Sequence, residues 1–266
     1  MDKVKKYFRI FKYQLGLALM TNSAYRINFI LLLIQSIINT ILSVVSIGFI
    51  YGNINQIAGW NVNEMIILVC TSLVVNQLYR GLILQGQNSF LMSVVNGDFD
   101  KMLLKPISIT YQINIGKFDL VSLCSSIAPI FVVIYEVRDM KMTLSLHNVF
   151  FYIITIISGV VIISSFMLIL YSLAFKYIKA DSLMDIYYII MSMSEKPKEI
   201  LGKRYLRFIF CYIIPVIPIA NISAGILLNK LNIYWWIASV LIGIVLNQCA
   251  ILLVNRQLKK YSSASS

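Results

Sequence analysis

Charge is what this chain has least of. Only 13% of its 266 residues are Asp, Glu, Lys or Arg, against roughly a quarter in soluble domains. A water-soluble fold of this length would lack the polar side chains to cover its surface. Histidine is nearly missing: His147 stands alone in a loop beside Asn148, which excludes any histidine-pair metal site or an HExxH motif. The four cysteines, Cys70, Cys124, Cys211 and Cys249, all lie in apolar runs without CxxC spacing. They read as small hydrophobes and exclude a disulfide framework. No phosphate-binding loop is present, because Lys117 and Lys203 follow glycines that have no second glycine five residues earlier. GxSxG is absent as well. Asp98 and Asp100 alternate in a polar stretch, where helix capping and solvation explain them better than acid–base chemistry. The chain is not expected to be an enzyme or to bind a cofactor or metal itself.

What is abundant is apolar sequence, at 59% of residues with a mean hydropathy of +0.81. It is gathered in uncharged runs of about 18 residues or more, long enough to cross a hydrocarbon core of roughly 30 Å as helices. Inside lipid each backbone amide must be satisfied within its own segment, and the short alternating strands of a barrel are not seen. The expected fold is therefore all-α: a polytopic transmembrane helical bundle of about six spans. The net charge of +12 fits cytoplasmic loops rich in Lys and Arg, and needs no nucleic acid.

Residues 1–26 interleave Lys3, Lys5, Lys6, Arg9 and Lys12 with Tyr7, Phe8, Ile10, Phe11 and Leu15. That pattern predicts an interfacial amphipathic helix on the cytoplasmic side, its cations toward lipid headgroups. A cleaved leader fits less well, since the following apolar run is long and no small-residue cleavage site appears. Spans are expected at 27–50 and 62–83, joined by a short uncharged loop ending at Trp60. A polar stretch, 84–111, follows. In it Phe90, Leu91, Val94 and Val95 share a helical face that stops at Asn96-Gly97. Asp98 is placed to cap a second short helix over 99–105, ended by Pro106. Both are expected as surface helices.

A third span is expected at 111–135, a charge-balanced loop at 136–147, a fourth span at 149–175 and a last span at 233–254. Trp235-Trp236 opens that last span. Basic residues Lys176, Lys179, Arg256, Lys259 and Lys260 mark inner-facing ends, and Ser262 to Ser266 are expected to be disordered. Region 180–232 admits two readings. In one, 180–206 is a cytoplasmic loop and 208–228 a full span. In the other, 180–194 is a short fifth span and 207–230 a re-entrant hairpin broken at Pro215 and Pro218. Clustered Lys196, Lys198, Lys203, Arg204 and Arg207 favour the first reading. The two prolines favour the second, because they remove backbone donors. Both readings leave the N- and C-termini on the cytoplasmic side. Ionisable residues near spans are functional candidates by default. Here they are Glu64, Arg80, Lys117, Asp119 and Asp185, each within a turn or two of a boundary, where snorkelling explains them equally well.

The segment GDFDKMLLKPIS, residues 97–108, resembles a pattern found after the second span in the membrane subunits of type-2 ABC exporters, in a bacterial six-span branch. The matching positions are Gly97, Asp100, Leu103, Leu104, Lys105, Pro106, Ile107 and Ser108. A second likeness lies in 204–228, where Tyr205, Leu206, Arg207, Ile214 and Pro215 match. The run at 221–224 and Ala174-Phe175-Lys176 depart from the branch. The resemblance implies that Gly97, Asp98, Phe99, Asp100, Leu103, Leu104, Lys105 and Pro106 couple to a separate ABC ATP-binding subunit, which carries ATP and Mg. It implies a second permease subunit, identical or related, location in the cell membrane, and an elbow helix at the N-terminus. It also implies a re-entrant or gating element that includes Tyr205, Arg207, Pro215 and Pro218, with 195–232 on the outer side. A secondary transporter would need an ion site near the midplane and an internal repeat, and neither is visible. A non-transport assembly or immunity protein is the remaining alternative, to be separated by stimulation of an associated ATPase.

Overall fold

The protein is described by a computed structural model covering residues 2–142, 145–177, 180–232 and 234–258. The expected basic flanks Lys179, Lys259 and Lys260 and the tail 262–266 lie outside them. Among the described residues all regular structure is helical, apart from one isolated bridge between Ile57 and Trp60.

The N-terminal segment forms α1 (Asp2–Ala24), and after Tyr25 the first span follows as α2 (Arg26–Tyr51). The second span begins at α3 (Val62–Tyr79), where Asn61 and Glu64 form a reciprocal capping box. Here the structure departs from expectation. Instead of ending near residue 83, α3 continues through a π-helical turn (Arg80–Leu84) into α4 (Gln85–Val95). The result is one helix of 34 residues, about 51 Å long at 1.5 Å per residue, roughly 20 Å more than the hydrocarbon core requires. The apolar face of 90–95 therefore does not float on the surface as a separate helix. Phe90 and Leu91 are buried in the main core.

After a loop holding the single-turn α5 (Asp100–Leu103) come α6 (Ile109–Ile115), α7 (Leu120–Ser125) and α8 (Ile127–Asp139). The expected third span at 111–135 is thus broken, and the crossing is made by Leu120–Asp139. Lys117 and Asp119 sit in the break. Asp119 caps α7, accepting the N–H groups of Val121 and Ser122 and the Ser122 hydroxyl. The fourth span is α9 (Leu146–Tyr177), followed by α10 (Ala180–Ser194), and the last span is α13 (Trp235–Leu258).

In region 180–232 the chain is sharply bent. Helix α11 (Arg204–Phe208) runs into a second π turn (Ile209–Ile213), and α12 (Ile217–Leu227) leaves it at an angle of 105°. Pro215 lies in the bend, while Pro218 belongs to the first turn of α12. There its missing N–H is harmless, so it starts the helix rather than breaking it. Both ends of the hairpin reach the same end of the molecule. The Trp60 indole donates to Glu199 at 3.0 Å, Lys230 pairs with Glu64 at 2.6 Å, and Asn148 donates to Asn229 at 2.8 Å. We call this the Trp60 end. At the opposite, Pro106 end, Lys6 donates to the Pro106 carbonyl and the Tyr111 hydroxyl donates to the Tyr7 carbonyl at 2.8 Å.

Five helices are long and apolar enough to cross a membrane. With α10, which returns the chain from the Pro106 end to the Trp60 end, the spans number six. Every residue of α12 is buried, packed against α9 and α3. Helices are held together by close backbone approach and by hydroxyl pairs, as expected where lipid offers no hydrophobic drive between them. A Cβ on Gly159 would lie 2.4 Å from the Ile219 carbonyl oxygen, and one on Gly86 would lie 2.3 Å from that of Ile113. Ser72 meets Ser194 at 2.6 Å, and Ser158 meets Ser239 at 2.8 Å. By contrast, α2 buries only Thr40 and Ile47.

Candidate functional site: a loop carried beyond the membrane

The resemblance singled out 97–108, and the structure places this loop on the protruding end of the Val62–Val95 helix. Asn96 ends that helix, and Gly97 adopts φ +75°, the left-handed conformation that glycine reaches without strain. Asp98 does not cap α5. Phe99 stands at the N-cap position, and Asp98 instead pairs with Lys101 at 2.7 Å on the exposed surface. The expected helix over 99–105 is correspondingly reduced to one turn, of which Asp100 is the first residue.

Two kinds of side chain divide the labour in this loop. Phe99 points inward, fully buried, and meets the Phe90 ring edge-on with centroids 5.7 Å apart. The Ser93 hydroxyl reaches the Met102 sulfur at 3.2 Å. The Gln112 amide donates to the Met102 and Ile107 carbonyls, each at 3.1 Å. With Lys6 on the Pro106 carbonyl, the loop is hooked from α4, α6 and α1. Outward it presents Leu104, 84% exposed, and Leu103, 46% exposed, beside Met92 and Val95 on α4, with Lys105 at the edge. A single-turn helix with two bare leucines is expensive to leave in water. The loop is held from three helices while both leucines stay exposed.

The second candidate region, at the Trp60 end, is a polar lid over α12. Asn221, 2% exposed, accepts the Lys198 N–H and donates to the Ser194 and Lys196 carbonyls. Arg207 donates from Nε to the Leu201 carbonyl at 2.8 Å, while Tyr205 is exposed. Burial pushes the Glu195 carboxyl up to about 7, offset in part by the Lys196 charge. Burial also lowers the Lys198 ammonium, which lies 5.2 Å over the Trp235 ring. Asn221 and Gln112 were not singled out in the sequence. The signal available was a carboxamide inside an apolar run.

Of the remaining candidates, Glu64 completes its capping box and the Lys230 pair, and Asp185 is exposed on α10. Arg80 opens the first π turn and shares a cavity with Asp119. His147 packs edge-on against Phe151 at 4.5 Å. Among the described residues no three His, Cys, Asp or Glu side chains gather as a metal site.

No curated protein and no solved structure matches the chain significantly. Residues 37–265 match the family described as "ABC-2 family transporter protein". That match takes in the 97–108 loop, the bent 204–227 segment and every span except the start of α2. The chain is a multi-pass membrane protein and belongs to the ABC-2 transporter membrane family.

Proposed function

We propose that this chain is the permease subunit of an ATP-driven exporter in the cell membrane. It forms a translocation path with a second permease, the same or related, and is powered by a separate ATP-binding subunit that holds ATP and Mg. The chain itself would perform no hydrolysis. One observation carries this reading: Leu103 and Leu104 are exposed on a hydrogen-bonded loop at the end of a 34-residue helix, longer than one crossing needs. A lipid-facing loop would not need to be carried there.

The Pro106 end is taken as cytoplasmic. It gathers Lys5, Lys6, Arg9, Lys12, Lys101, Lys105, Lys117 and Arg256 against Asp98, Asp100, Asp119 and Asp185, so cations are in excess. Most cations of the Trp60 end are offset by Glu64, Glu136, Asp139, Glu195 and Glu199. In this arrangement the lid over α12 is external and both termini are cytoplasmic. Motion of the ATP-binding subunits would push on 97–108 and be passed along the stiff Val62–Val95 helix into the bundle. A bistability of a few kcal/mol in helix packing is enough for such switching.

The test is the double variant Leu103→Asp, Leu104→Asp. Both side chains point outward, so membrane insertion and thermal stability should match the parent. Stimulation of the companion ATPase should be lost. Undiminished stimulation would remove the coupling assignment.

A further inference from the structure

In the half of the bilayer nearer the Pro106 end, α2, the first π turn and α7 enclose a cavity of about 220 Å³. A water takes about 30 Å³ of liquid, so the space suits a chemical group rather than a single solvent molecule. Its wall is polar: Gln35 and Asn39 from α2, Gln77 and Arg80 from the second span, Asp119 capping α7 and Ser125 within it. Arg80 lies 18 residues after the start of α3, about 27 Å along the helix axis. That is headgroup depth on the Pro106 side.

These side chains are not satisfying one another. Among the described residues, the side chains of Gln35, Asn39, Gln77 and Arg80 make no hydrogen bond and no ion pair, and Arg80 is not paired with Asp119 across the cavity. Asp119 uses its carboxylate for the α7 cap, yet two oxygens can accept about four bonds, and only three are taken. Unpaired amides and a guanidinium are costly in lipid. A cation and an anion held apart in one cleft are complementary to a zwitterion. Gln35 and Asn39 are exposed on the lipid-facing helix, so the cleft opens sideways into the membrane.

We propose that this cleft binds a zwitterionic amino-phosphate headgroup of a membrane lipid. The phosphate pairs with Arg80, the ammonium faces Asp119, and the amides of Gln35, Asn39 and Gln77 take the ester and glycerol oxygens. The π turn is the device that aims Arg80 into the cleft, because the extra residue rotates the helix face at that point. The site does not depend on the assignment of the coupling loop, and its test needs no ATPase.

The experiment is native mass spectrometry of the full chain in mild detergent, with phosphatidylethanolamine and phosphatidylglycerol supplied in equal amounts. The parent should retain the zwitterionic lipid in preference to the anionic one. Arg80→Gln should reduce retention of both about tenfold, the scale of one charge-assisted hydrogen bond, and Arg80→Lys should restore part of it. Asp119→Asn keeps the helix cap and should erase the preference for phosphatidylethanolamine. It carries the test should Arg80→Gln not fold. Displacement by soluble phosphoethanolamine would assign the same site to a free zwitterion. Equal retention of the two lipids by the parent, or no change on Arg80→Gln in a folded protein, would overturn the proposal.

Discussion

The backbone N–H of Asp119 donates to the Gly81 carbonyl at 2.9 Å, joining the first π turn to the break before α7. A π turn leaves a carbonyl without its usual partner four residues on, so Gly81 can spend its acceptor on a neighbouring segment. Two irregularities that each weaken a span are thereby closed against each other. The bond also links the long Val62–Val95 helix directly to the third span.

Gly81 should therefore be intolerant of a side chain. A Cβ there would meet the Leu123 side chain at 2.6 Å and its backbone nitrogen at 3.0 Å. We expect Gly81→Ala to push α7 outward and reduce ATPase stimulation while the protein still inserts. Parent-like stimulation would show that this joint transmits nothing.

Backbone contact makes a sharper stability prediction. At Gly86 and Gly159 the obstacle is a carbonyl oxygen, at 2.3 and 2.4 Å, whereas at Gly243 the nearest atom is a serine hydroxyl at 3.5 Å. Gly86→Ala and Gly159→Ala should each cost about 1–3 kcal/mol, the usual range for overpacking. Gly243→Ala should be close to neutral. Thermal midpoints in detergent would rank the three.

Glu195 gives the lid a pH dependence with a definite sign. Burial raises its carboxyl from 4.5 to about 7, so the folded chain prefers it protonated. A raised folded-state value means that the associated stability is complete below pH 4.5 and is lost as pH climbs through about 7. The parent should melt at a higher temperature at pH 5 than at pH 8. In Glu195→Gln that difference should shrink, because the neutral amide has no charge to desolvate. An unchanged difference would assign the pH response to other groups.

Sidedness is open to direct chemistry. In a background lacking Cys70, Cys124, Cys211 and Cys249, Lys203→Cys should react with an impermeant maleimide in intact cells. Lys105→Cys should react only after permeabilisation. The reverse pattern would invert the orientation argued from charge.

Much of this fold is legible in the sequence, because apolar run length and flanking charge are local properties. The first, fourth and last spans and the Trp235-Trp236 start fall within a few residues of where hydropathy puts them. The failures have a common cause. Nothing local announces that α3 continues past Arg80, since Gln85 to Asn88 are polar and read as loop. Two of them are instead satisfied inside the bundle, Gln87 accepting from Tyr79 and donating to the Ser164 carbonyl, and Asn88 accepting from Tyr171. Asp98 looked like a cap because of its spacing, but the buried Phe99 ring fixes where α5 begins. The hairpin was obscured by five cations between Lys196 and Arg207. Their weight is countered by a long-range contact, Trp60 to Glu199, that no window of sequence contains. In the 97–108 loop, the motif marks the exposed leucines. It did not mark Gln112 and Lys6, which hold them out.

We propose that the driving energy comes from a second polypeptide seated on the exposed Leu103–Leu104 turn. The direct measurement is isolation of the chain from its native membrane in mild detergent, followed by assay of the eluate for Mg·ATP hydrolysis. The account predicts a comigrating ATP-binding subunit whose hydrolysis is lost from the eluate when both leucines are aspartate. Solute movement through vesicles holding this chain alone, with no nucleotide present, would contradict it.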